Sequence, residues 1–236
     1  MSELADRYQA LLQTIAATSR EAASPRPVRL LAVSKGQPAA ALRDLYAVGQ
    51  RSFGENYAQE LVAKAAALGD LPGLEFVFIR RIQSNKIPAI VRVAAAVQSL
   101  ASERHARLVA AAVRAAGKVD YPVHLLINAG DEASKDGLSA AAAQALARVI
   151  RDSLPELRLR GVMAIPPPLG MLTPAADSSG VPLLFRELRQ LADGIGEGDL
   201  SLGMSADLKL AIMAGSDSVR VGTALFGERR PAIATC

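Results

Sequence analysis

The chain has 236 residues, half of them hydrophobic and 21% charged, with a formal net charge of +4 and a single cysteine, Cys236. One cysteine excludes an intrachain disulfide framework and a cysteine-built zinc site, and no apolar run approaches the roughly 18 residues of a membrane span. The Lys and Arg residues are spread over helical stretches and never interleave with aromatics, so a solvated surface is expected rather than a nucleic-acid face, and the protein is expected to be cytoplasmic with no membrane contact.

In chain order, Leu4, Tyr8, Leu11, Leu12 and Ile15 recur at helical spacing, which predicts a helix over about residues 1–20 rather than a signal peptide. Short Val/Ile/Leu-rich runs follow at Leu30–Ser34, Ser52–Gly54, Glu75–Ile82, Ala95–Leu100, Val123–Asn128, Leu159–Ile165, Leu200–Gly203 and Ser218–Val221. Ala/Leu/Arg stretches of helical period lie between most of them. Eight strands alternating with helices predict a single (β/α)₈ TIM barrel domain spanning residues 1–236. The stretch PPPLGMLTPAADSSGVP is too rich in Pro, Gly and Ser for helix or central strand, so a long mobile loop is expected over about residues 166–180.

Barrels of this kind carry their chemistry at the C-terminal ends of the strands. There the sequence gathers Lys35, Glu55, Asn56, Gln83, Ser84, Asn85, Ser134, Lys135, Ser205 and Gly222. The first strand reads LLAVSK and breaks at Gly36 and Pro38, which sets a lysine just past a buried strand end. Partial burial lowers an amine pKa toward neutrality, as a Schiff-base lysine requires, although a lysine snorkelling at the mouth fits the same pattern. The last strand, SVRVGTALFG, ends in a Gly-Thr pair where backbone amides can approach a phosphate. Before it, in LSLGMSADL, Ser205 is a candidate N-cap with Asp207 in the first helical turn, or the segment is merely a strand-to-helix turn.

Other candidates carry less. His105 falls in a helix and His124 inside a strand, so no metal site is expected from them. Ser134 and Lys135 read as rim-loop residues, since no base is placed in sequence to activate the serine. Gln83, Ser84, Asn85 and Lys86 suit a second anion or simply cap the next helix.

The blocks AVSKGQP, FGENYAQELVAK, FIRRIQSNK, SKDGL, GVMAIP and LSLGMSADLKLAIMAGSDSVRVGTALFGER resemble, in order from Leu30 to Arg229, those of the pyridoxal phosphate homeostasis proteins, relatives of the N-terminal barrel of alanine racemase. The resemblance implies pyridoxal 5′-phosphate as cofactor, held as a Schiff base on Lys35, with Asn56 beside its ring and Arg220 facing the pyridine nitrogen. A guanidinium there leaves the nitrogen unprotonated and weakens the electron sink that pyridoxal enzymes use. Ser205, Gly222 and Thr223 would hold the phosphate, with Ser201 near it.

The implied role is vitamin B6 cofactor homeostasis and delivery to apo pyridoxal-dependent enzymes by a monomer or weak dimer, with no catalytic residue and no robust turnover. The rival is an amino-acid racemase, which in its two-domain relatives needs a second acid/base from a tyrosine of the neighbouring subunit. With the sequence ending at Cys236, that domain is expected to be absent, and of Tyr8, Tyr46, Tyr57 and Tyr121 only Tyr57 is expected near the proposed mouth. A ligand-free structural barrel is the third reading. The sequence departs from the family pattern at Arg80-Arg81, where the family has Gly-His; the pair is expected on the outer surface, bound to Glu75 or Glu55, or on the rim.

Overall fold

The computed structural model describes residues 2–130, 136–172 and 175–227. Ser134, Lys135, Arg229 and Cys236 lie outside the described residues, as do positions 173 and 174 of the expected loop. Among the described residues no helix is long and apolar enough to cross a membrane.

Helix α1 (Glu3–Glu21) starts at Ser2, whose hydroxyl accepts the Ala5 N–H at 3.3 Å. The chain then runs β1 (Arg29–Val33), α2 (Ala39–Ala47), β2 (Ser52–Glu55), α3 (Ala58–Ala67), β3 (Glu75–Phe78), α4 (Ile87–Val93), β4 (Ala96–Leu100) and α5 (Glu103–Ala115). It continues through β5 (Tyr121–Ile127), α6 (Ala140–Ser153), β6 (Leu157–Ala164), α7 (Leu183–Asp193), β7 (Asp199–Ser201), α8 (Leu208–Met213), β8 (Ser218–Val221) and α9 (Thr223–Phe226). All strand pairs are parallel and β8 returns to β1, so the sheet is a closed barrel, the (β/α)₈ fold expected from the strand count.

Strand β3 is shorter than expected: Ile79 N–H still donates to Glu55 O at 3.0 Å, but the chain leaves the ladder at Arg80. The segment expected as a long loop contains a 3₁₀ turn at Leu169–Met171. After it, the Asp177 carboxylate ties down Ser179, Val181 and Arg186.

Alternation along each strand sends one set of side chains to the helices and the other into the barrel. Outward Phe53 of β2 and the helix residues Leu42, Leu61 and Phe185 are fully buried between sheet and helices. Inside, Leu31, Val77 and Ile79 form a small apolar cluster joined by Val33 and Ala96. Other positions of the interior carry polar side chains, most of them hydrogen-bonded, as burial of polar groups demands. Near the N-terminal end Asp199 accepts from Arg29 at 2.5 Å and lies 3.3 Å from His124 Nε2. One layer higher, Ser201 Oγ donates to Gln98 Oε1 at 3.0 Å and accepts from Arg220 Nη1 at 2.8 Å.

Candidate functional site

Lys35 follows β1 by two residues. Its neighbour Ser34 continues the ladder, donating N–H to Gly54 O at 2.9 Å, and turns its hydroxyl outward to Glu55 Oε1 at 2.7 Å. Strand alternation then gives Lys35 the inward face shared by Leu31 and Val33, at the C-terminal mouth. Glu55 was expected at this mouth, but the same alternation points it the other way. It is wholly buried under α3, where it meets Lys64 Nζ at 2.6 Å. Asn56, one residue on, is inward and half-buried, and its side-chain oxygen is shielded with no hydrogen-bond partner among the described residues.

Register across the barrel seam brings the last strand to the same place. Leu31 pairs with Arg220 and Ala32 with Val221, so Gly222 falls beside Val33. A Cβ on Gly222 would stand 3.3 Å from Val33 O, so only a bare backbone fits there without a shift. Thr223 opens α9, and Ala224 N–H donates to Ser205 Oγ at 3.2 Å, so the β7–α8 turn and the start of α9 lie against each other. Ser205 does not cap α8 as expected. Asp207 takes that position and closes the turn through the Met204 N–H at 2.5 Å.

Arg220 is buried inside the barrel, and its guanidinium donates to Ser201 O at 2.7 Å, Ser201 Oγ at 2.8 Å and Ala164 O at 2.7 Å. Burial pushes its pKa down to about 10, which leaves it a cation at neutral pH. Ser201 is fully buried and its hydroxyl is engaged with Gln98 and Arg220. It is bonded to Arg220, two residues before Gly222.

On the β3 side of the mouth, a cavity of about 280 Å³ is lined by Asn56, Tyr57, Arg80, Arg81, Gln83 and Lys86. The Arg80 guanidinium lies 5.1 Å from the Tyr57 ring centre and donates to its hydroxyl at 3.0 Å. Arg81 pairs with Asp136 at 2.9 Å. Neither arginine takes Glu55 or Glu75 as partner. Ser84 Oγ and His105 Nε2 lie 3.3 Å apart behind this rim, and burial, with the charges of Arg104 and Arg81, holds the imidazole below its usual pKa.

Sequence reasoning missed Lys64 and Glu60. Lys64 is buried and lies three residues after Leu61 and four before Leu68, a cation inside an apolar stripe, which is a readable signal.

The arrangement joins an inward amine, a side-chain-free backbone turn next to two hydroxyls, and a buried cation within one barrel mouth. It suits a small phosphorylated carbonyl compound.

The model of the alanine racemase N-terminal domain matches residues 7–230. A pyridoxal phosphate homeostasis protein of Pseudomonas aeruginosa is 44% identical over 222 residues, covering 91% of this chain and 93% of that protein. One from Escherichia coli is 38% identical over 238 residues, covering 91% of each. The structure of PipY from Synechococcus elongatus with PLP bound is similar with a TM-score of 0.77 at 32% identity, covering 95% of this chain and all of that one.

Proposed function

The chain belongs to the pyridoxal phosphate homeostasis family, and on that premise we propose that it binds pyridoxal 5′-phosphate as a Schiff base on Lys35 and buffers and delivers it in the cytoplasm without robust turnover. The observation that supports this reading is the seam register: Leu31 pairs with Arg220, and Val33, two residues before Lys35, lies against Gly222, two residues after Arg220.

The residues present fit the cofactor. Lys35 supplies an amine, Asn56 a buried carboxamide oxygen with no partner among the described residues, and Gly222 a bare backbone where a side chain would crowd Val33. Ser205, Gly222 and Thr223 would hold the phosphate, Asn56 would lie along the ring, and Arg220 would face the ring nitrogen. When bound, the cofactor would supply an electron-withdrawing conjugated ring, a weaker electron sink when its nitrogen is unprotonated than when it is positively charged. Arg220, a cation bound to neutral oxygens, keeps its own proton and gives that nitrogen no acid.

This favours holding over turnover. A racemase needs a second acid/base on the opposite face of its substrate, and each such group contributes about 10²- to 10⁴-fold. Tyr57, the tyrosine nearest the mouth, carries Arg80 on its ring and accepts a hydrogen bond from it.

The test mixes cofactor-loaded protein with D- or L-alanine and, separately, with an apo pyridoxal enzyme. Reactivation of the apo-enzyme without racemisation is the expected outcome. Racemisation at an ordinary enzymatic rate, on the order of 10 per second, overturns the reading.

A further inference from the structure

Both peptide groups that flank Lys35 are tied to one buried ion cluster on the outer side of the barrel. Lys64 Nζ donates to Ser34 O at 2.6 Å, to Glu55 Oε1 at 2.6 Å and to Glu60 Oε2 at 3.1 Å, which uses all three of its N–H bonds. The same Glu60 oxygen accepts the Gly36 N–H at 2.7 Å. The carbonyl entering Lys35 and the amide leaving it are therefore bridged by two side chains of α3. Gly36 has φ +72, a left-handed conformation that lets the chain turn there.

The cluster is costly to bury. Lys64 is 7% exposed and Glu55 is fully enclosed, and desolvation pushes the Glu55 carboxyl up in spite of its bonds to Lys64 and Ser34. Apolar residues at both 55 and 64 would fill the same space without that cost, so the buried pair calls for an account beyond packing. It also lies on the outer face of the sheet, away from the barrel lumen.

We propose that Lys64, supported by Glu55 and Glu60, is a positioning residue for Lys35: it fixes the peptide planes on both sides of the Lys35 Cα so that the inward amine meets a bound carbonyl at attacking distance. The proposal rests on Lys35 being the point of covalent attachment. In that step the neutral amine forms a bond to the aldehyde carbon, the carbon–oxygen double bond gives way to carbon–nitrogen, and the oxygen leaves as water with the two amine protons. No oxidant or reductant takes part. Lys64 acts on this step through the main chain and never meets the reacting atoms. Misplacing a reacting group by about 1 Å can cost up to 10²-fold in rate, which is the scale on which such fixing matters.

The experiment compares wild type, Lys64→Met and Glu60→Gln in two measurements. One is the rate of covalent capture of pyridoxal 5′-phosphate at saturation, trapped with borohydride and located by mass spectrometry of the Lys35 peptide. The other is the affinity for pyridoxine 5′-phosphate, which carries the phosphate and ring but has no aldehyde. Lys64→Met is expected to slow capture by about 10-fold or more while leaving the affinity for the analogue near wild type. Glu60→Gln, which keeps the shape of the acceptor but removes its charge, is expected to show a smaller loss of the same kind, and it decides the matter if Lys64→Met does not fold. Capture at the wild-type rate in both variants overturns the proposal, as does an equal loss of capture and analogue binding. Failure of wild type itself to label Lys35 is a different result and sinks the attachment reading instead.

Discussion

Gly222 and Val33 meet across the barrel seam so closely that a Cβ on Gly222 would stand 3.3 Å from the Val33 carbonyl oxygen and 3.5 Å from the Val33 Cβ. The contact joins the strand bearing Lys35 to the turn that opens α9. Gly222→Val therefore overpacks the seam and the proposed phosphate cradle together. A stability loss of about 1–3 kcal/mol in urea unfolding is expected, along with weaker binding of pyridoxine 5′-phosphate. Unchanged affinity would remove Gly222 from the cradle.

Lys35→Ala is expected to abolish borohydride-reducible cofactor, while binding through the phosphate persists because the proposed phosphate contacts follow β7 and β8. Mass spectrometry of the reduced, digested protein reads this directly. Reducible cofactor at wild-type stoichiometry in the variant would show that another amine is the attachment point.

Arg220 supports three buried acceptors, Ser201 O, Ser201 Oγ and Ala164 O. Arg220→Glu removes the guanidinium from all three, leaves Ser201 Oγ only the long bond from Ser218 Oγ at 3.4 Å, and adds a buried carboxylate. A loss of about 3 kcal/mol or more is expected by chemical denaturation. Arg220→Lys keeps the charge and is the variant suited to spectroscopy: a shift in the cofactor absorbance is expected, and an unchanged spectrum would place the ring nitrogen elsewhere.

Stability should fall in acid partly through Asp199. Burial alone would raise its carboxyl, but the hydrogen bond and charge of His124 and the pairing with Arg29 outweigh it and hold the group well below the usual carboxylate range. Its pKa is thus lower folded than unfolded, where it is about 3.9. The stabilisation is complete above that value and is lost as pH falls through the folded one. Asp199→Asn should lower stability at pH 7 and flatten the acid limb below about pH 4. Parallel curves for the two proteins would assign the acid limb to other carboxylates.

The strand count was legible because apolar runs and helical stretches alternate with so little ambiguity, and β8 was read with its observed ends, Ser218–Val221. Strand β5 was read late because Pro122 breaks the pattern although it sits inside the strand. Strand β3 was read long because Ile79 and Ile82 are buried and apolar while the chain between them has already left the sheet. At the site, Lys35 and Gly222 declare themselves as polar or small residues that end an apolar run. Glu55 did not, because one residue of alternation decides which side of the sheet a group serves. Long-range partners such as Lys64 with Ser34, 30 positions apart, leave only the oddity of a cation in an apolar stripe.

Strand β7 has three residues, and two of them, Asp199 and Ser201, are bound across the lumen to residues of β1, β4, β5 and β8. Their neighbour Leu200 meets only the apolar layer outside. Mutational freedom within this strand is therefore quantised: the middle position accepts hydrophobes of similar volume, while each flanking position can change only if residues on several other strands change with it. Such a strand drifts slowly in evolution for reasons of barrel architecture, and invariance at its inward positions would not by itself mark them as ligand contacts.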